Sequence, residues 1–184
     1  MPGRVDVLDT ARRMRRDGLA VASTGNVSAR EDDHVHVTPS GLPYEDMETE
    51  DIVTLTLAGE VLRGDRPPSS ERLVHLAVYR AMPDVGGVVH THSPHAVAWS
   101  FRGEELDTRS EELEIYAGGA VRTAPYAATG SQDLAEAALA ALEGRRAVLL
   151  ARHGVLAVGG TPQHALDTAH VVERQAQVAL LLRP

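Results

Sequence analysis

Three histidines carry the chemistry that this sequence makes most legible. His90 and His92 close a short apolar run, V-V-H-T-H-S-P-H-A. Side chains on a β-strand alternate faces, so residues two apart share a side. Two neutral imidazoles on one side suit a divalent transition metal, most often zinc, which takes histidine nitrogen at about 2.0–2.1 Å. A catalytic zinc needs a third protein ligand and an open position. The segment A-R-H-G-V-L offers His153, set between an apolar strand and a glycine. A three-histidine metal site is the working expectation.

The composition removes several other chemistries. The chain has no Cys, which excludes thiolate nucleophiles, disulfides and Cys–zinc sites. It has no Lys either, since all 18 basic residues are Arg, so a lysine Schiff base is impossible. Carbonyl chemistry would need a metal or another side chain as electrophile. A net charge of −8 argues against broad binding to nucleic acid or to an anionic membrane. There is no signal-peptide pattern and no apolar run of about 20 residues, so a soluble, cytoplasmic protein is expected. The 184 residues fit one domain, 1–184, with a core of Ala, Val and Leu because aromatics are only 3%.

The elements that must position the histidines follow from periodicity and punctuation. Val7, Ala11 and Met14 predict a helix over 5–17, stopped by Gly18, with its Arg run as a solvated face. Segments 27–30 and 34–38 predict a hairpin across Glu31-Asp32-Asp33, and 52–57 with 60–62 a second one around Ala58-Gly59. His34 and His36 also lie two apart, but they flank an acidic loop and read as surface residues. Prolines ahead of Ser69 and Ser70 predict a helix to about Met82, with Glu71 in its first turn. Segments 94–101, 131–142 and 162–182 predict further helices; 120–123, 147–151 and 155–158 predict strands. His95 reads as a packed or pocket-wall histidine. His164 and His170 lack the spacing of a helical metal pair. Hairpins without strict βαβ alternation predict an α/β fold with a mostly antiparallel central sheet flanked by helices.

Three turns could face an anion with backbone N–H groups and hydroxyls. They are A-S-T-G-N-V-S-A-R at 22–30, T-P-S-G-L-P-Y-E at 38–45, and Ser69-Ser70 at a helix start. Plain turns and simple capping are the competing readings, and for Glu71 it is complementarity with the helix dipole.

Taken in order, G-N-V-S-A-R, V-T-P-S-G-L-P-Y-E, P-S-S-E, V-V-H-T-H-S-P-H-A and H-G-V-L resemble the class II aldolase/adducin family, from about Val7 to Leu181. The resemblance implies a three-layer α/β/α fold, usually a homotetramer with active sites between subunits. It implies His90, His92 and His153 as ligands of zinc or another divalent ion, and Glu71 as catalytic acid/base. It implies a phosphate cradle from Gly25, Asn26, Ser40, Gly41, Ser69 and Ser70. The implied reaction cleaves a sugar phosphate, such as a 2-ketose 1-phosphate, into dihydroxyacetone phosphate and an aldehyde through a zinc-stabilised enediolate. Dehydration, epimerisation or decarboxylation on the same site, and a non-catalytic adducin-like module, are the alternatives. Two departures concern the aldehyde side. Glu112 stands where the resembling aldolases have a proton-donating Tyr that reaches a neighbouring subunit, and the nearest Tyr is Tyr116. Those aldolases also continue past the last helix, whereas this sequence stops at Pro184.

Overall fold

The computed structural model describes residues 3–182. Its strands are β1 (Asn26–Glu31), β2 (His34–Val37), β3 (Val53–Thr56), β4 (Val61–Arg63), β5 (Gly87–Thr91), β6 (Thr123–Ala124), β7 (Ala147–Leu150) and β8 (Gly154–Gly159). The helices are α1 (Arg4–Arg16), α2 (Arg72–Ala81), α3 (Pro94–Ser100), α4 (Gln132–Leu142) and α5 (Pro162–Leu182). All eight strands form one sheet in the order β4-β3-β2-β1-β5-β8-β7-β6. Among the described residues every pairing is antiparallel except β6 with β7.

Two apolar clusters sandwich the sheet. One joins Val7 and Met14 of α1, Trp99 of α3 and Val172 of α5 to Val27, Val89 and Val155. The other joins Val74 and Val78 of α2 and Leu134 of α4 to Val88, Val148 and Leu156. Val88 and Val89 therefore point to opposite layers, as strand alternation requires. The architecture is the expected α/β/α arrangement, with α1, α3 and α5 on one face and α2 and α4 on the other. Among the described residues no helix is long and apolar enough to cross a membrane.

Local departures have identifiable causes. α2 starts at Arg72, with Glu71 as its N-cap rather than in its first turn. Ser69 is held outside the helix: its N–H donates to Thr38 O at 3.1 Å, and its Oγ accepts from Glu71 N–H at 3.2 Å. The strand expected at 120–123 shrinks to Thr123–Ala124, because Val121 exchanges both backbone hydrogen bonds with Leu106. The polar stretch before it winds into a π-helical turn over Leu113–Ala117. His36 is buried, not a surface residue. Its ring lies against Thr54 of the neighbouring β3, and its Nε2 is 3.0 Å from Glu31. His34, two residues earlier on the same side, is exposed.

Candidate metal centre

β5 runs through the middle of the sheet and delivers His90 near its end. His92 follows just past the strand, where its N–H donates to Leu19 O at 3.0 Å. His153 comes from the three-residue turn between β7 and β8, with Arg152 in the left-handed region at φ +61°. Glu71 enters from the N-cap of α2. A Cβ on Gly154 would lie 2.1 Å from Thr91 O and 3.2 Å from His90 Cε1. Only glycine lets the turn carrying His153 close down on His90.

The three rings meet by their Nε2 atoms. His90 Nε2 lies 2.9 Å from His92 Nε2 and 3.3 Å from His153 Nε2. Glu71 Oε2 is 3.0 Å from His90 Nε2, and Glu71 Oε1 is 3.2 Å from His153 Nε2. All four ligand atoms fall within 4.8 Å of one another. Nitrogens bound tetrahedrally to one zinc would be separated by about 3.3 Å, given bonds near 2.05 Å. His90 Nδ1 lies 2.8 Å from Val155 O, to which it donates. That bond fixes the tautomer and leaves the Nε2 lone pair facing its neighbours. Glu71 Oε1 is buried and accepts no hydrogen bond of good geometry despite the nearby His153 nitrogen. An orphaned buried carboxylate oxygen beside three convergent imidazoles fits a bound cation.

Without a cation, burial and charge compete at Glu71, His90 and His92. Burial pushes the Glu71 carboxyl up, but the adjacent His90 and His153 rings outweigh it and hold the acid well below the usual range. Burial pulls His90 down, yet the Glu71 charge and hydrogen bond and the Val155 carbonyl leave it raised. His92 is lowered to about 4, first by burial and then by the charge of the other two rings.

The three turns named as anion cradles lie together. Pro39 bridges Pro68, and Ser40 N–H donates to Pro67 O at 2.9 Å, which ties the second turn to the third. Gly25, at φ +77°, is packed so that a Cβ would sit 2.6 Å from His90 O. The Tyr44 hydroxyl donates to Gly25 O at 2.7 Å and braces that turn against the second one. Ser40, Gly41 and Ser70 are exposed, while Ser69 is buried. Asn26 is also buried, and its carboxamide is committed to Glu71 and to His75.

Glu112 and Tyr116 do not join this cluster within the chain. Glu112 accepts from Gln175 of α5 at 2.6 Å. Tyr116 lines a cleft with Gly159 and Gly160, at the end of β8 opposite His153. His95 is tied to Glu173 through Nδ1 at 2.6 Å. His170 bonds Leu166 O and Asp17. The residue that sequence reading passed over is His75. It is fully buried between Ser28 and Asn26, and burial lowers its pKa to about 3. Its spacing of four from Glu71 on a helix was the available signal.

With fold and geometry in view, the comparisons define the class. The description "Class II Aldolase and Adducin N-terminal domain" matches residues 5–180, and the chain belongs to this family. It is 41% identical over 177 residues to a 5-deoxy-D-ribulose 1-phosphate aldolase of Bacillus thuringiensis, covering 95% of this chain and 83% of that protein. It is 37% identical over 174 residues to the L-fuculose phosphate aldolase of Escherichia coli, covering 95% and 80%. A solved structure of L-fuculose 1-phosphate aldolase superposes with a TM-score of 0.94 at 32% identity, over 98% of this chain and 85% of that one.

Proposed function

We propose that this chain is a zinc-dependent aldolase that splits a 2-ketose 1-phosphate into dihydroxyacetone phosphate and an aldehyde. The observation that carries the reading is the unsatisfied, buried Glu71 Oε1 set against three imidazole Nε2 atoms. The names of the similar proteins, a 5-deoxy-D-ribulose 1-phosphate aldolase and an L-fuculose phosphate aldolase, support the substrate class. His90, His92 and His153 would hold the ion through Nε2. Bound there, zinc supplies Lewis-acid stabilisation of negative charge on the ketone fragment, commonly several kcal/mol of the barrier.

Glu71 handles the proton at carbon. Its carboxylate, which lies against His90 and His153, is the group placed to take a proton from the ketone fragment in the condensation direction. By microscopic reversibility the same carboxyl returns that proton to carbon during cleavage. The reaction is proton-neutral, because the hydroxyl that becomes the aldehyde loses the proton that carbon gains. The turns at Gly25-Asn26, Ser40-Gly41 and Ser69-Ser70 would cradle the phosphate with hydroxyls and with backbone N–H groups other than those of Ser40 and Ser69, which donate to Pro67 O and Thr38 O. Such donors need no net positive charge on the protein. Neither Glu112 nor Tyr116 stands beside Glu71 in its own chain, so the reading assigns the aldehyde side to a neighbouring copy, in a homotetramer with sites between subunits. The exposed Ile115 and Tyr116 side chains are consistent with such a contact.

The test is elemental analysis of the purified protein, followed by incubation with 5-deoxyribulose 1-phosphate and fuculose 1-phosphate and identification of products by NMR. Stoichiometric zinc and dihydroxyacetone phosphate are expected. A protein without divalent metal, or products that keep the carbon–carbon bond, would overturn the reading.

A further inference from the structure

We propose that His75 is a positioning residue for Glu71, acting through Asn26 to fix the orientation of the carboxylate. The inference rests on the aldolase reading, in which Glu71 moves the proton.

The geometry starts from register. Asn26 pairs with His90, and Ser28 with Val88, across β1 and β5. Asn26 and Ser28 therefore share the sheet face covered by α2. Glu71, His75 and Tyr79 are spaced by four and lie along one stripe of that helix. The five side chains are all buried. They form a continuous chain of hydrogen bonds in which each hydrogen can be assigned.

Glu71 Oε2 accepts from Asn26 Nδ2 at 2.9 Å. The other end of that amide, Oδ1, lies 2.5 Å from His75 Nε2. A carbonyl oxygen only accepts, so Nε2 must carry the hydrogen. A ring this deeply buried is neutral, so Nδ1 holds a lone pair and accepts from Ser28 Oγ at 2.6 Å. The single serine hydrogen is then spent, and Ser28 Oγ accepts from the Tyr79 hydroxyl at 2.8 Å. Four hydrogen bonds thus run in one sense, from Tyr79 through Ser28, His75 and Asn26 to Glu71. Each donor polarises the next toward the carboxylate.

An asparagine amide cannot pass a proton along, so this chain orients the acid and does not feed it. Without the His75 N–H, the Asn26 amide loses the bond that selects its rotamer. Its oxygen could then turn toward Glu71 and set one acceptor against another. The carboxylate would lose a charge-assisted bond at Oε2, the oxygen that also lies 3.0 Å from His90 Nε2.

The experiment compares zinc-loaded wild-type protein with His75→Leu and His75→Gln, using the ketose 1-phosphate that the wild type splits best. Glutamine can place an amide N–H near the position of Nε2. In His75→Leu, kcat should fall about tenfold or more while KM stays within about twofold and zinc content is unchanged. His75→Gln should recover most of the loss. A crystal structure of His75→Leu should show the Asn26 amide or the Glu71 carboxylate rotated, a readout that needs no substrate. An unmoved carboxylate, or equal losses in the two variants, would overturn the inference. Should His75→Leu fail to fold, Ser28→Ala removes the hydroxyl that donates to His75 Nδ1 and links it to Tyr79. It should lower kcat in the same direction, and an unchanged kcat there would also overturn the inference. If the wild type splits no ketose phosphate, the aldolase reading falls, while the rotation in the crystal still decides the role of His75.

Discussion

The backbone carbonyl of Val155 accepts a hydrogen bond from His90 Nδ1 at 2.8 Å, and this determines which nitrogen of His90 faces His92 and His153. Since β8 supplies that carbonyl, the central sheet itself orients the ring. Removal of metal by a chelator should abolish turnover without disordering the sheet, and stoichiometric zinc should restore it. His92→Ala and His153→Ala should each lower zinc occupancy at least tenfold, read by competition with a chromogenic chelator.

Gly154→Ala should be costly although it adds one methyl group. Its Cβ would meet Thr91 O, a backbone atom with no room to yield, so β5 and β8 must part. A loss of roughly 1–3 kcal/mol is expected by urea denaturation of the metal-free protein, with weaker zinc binding as the histidines separate.

Glu71→Gln should keep its zinc and lose about 10²–10⁴ in kcat, the usual contribution of a positioned proton-transfer group. The measurement is turnover and metal content on the same preparation. A variant with wild-type kcat would remove Glu71 from the chemistry.

Ser70 is exposed beside the other cradle turns, so Ser70→Asp should repel a substrate phosphate without disturbing the core. KM should rise about tenfold or more while melting temperature stays put, measured by steady-state kinetics and calorimetry.

Burial lowers the folded-state pKa of His75 to about 3 from the usual 6.5. Between those values the unfolded chain binds the proton and the folded chain resists it. Stability therefore falls with falling pH across this window, with a slope that approaches roughly 1.4 kcal/mol per pH unit at its middle, and above about pH 6.5 the contribution is flat. The raised His90 works in the opposite sense and the lowered His92 in the same one. The difference between metal-free wild type and His75→Gln isolates His75, and denaturation from pH 7 to 4 should show the variant losing less stability.

How far the sequence could be read depended on how local each signal was. The alternation in V-V-H-T-H put two imidazoles on one side, and they do meet, although the strand ends at Thr91 before His92. The hairpins, the five helices and the layered sheet followed from punctuation and period. His75 was hidden because, on a helix beside Val74 and Val78, it reads as one more core position. Its partners Asn26 and Ser28 are 49 and 47 residues away, and only strand register brings them beneath it. His36 was misread for a related reason, since β3 covers a residue that its acidic neighbours made look exposed. The π-helical turn left no trace because the stretch leading into Leu113–Ala117 carries no regular apolar period.

The turn between β7 and β8 brings His153 to His90 across a sequence separation of 63. Asn26 reaches Glu71 across 45. No short fragment of this protein can gather these groups, and loop closures of that span are slow steps in folding. The site therefore needs the pairings of β1 with β5 and of β5 with β8, and the docking of α2, all at once. Tight uptake of a metal ion by the refolding chain should be a late event, a clock for the completion of its topology.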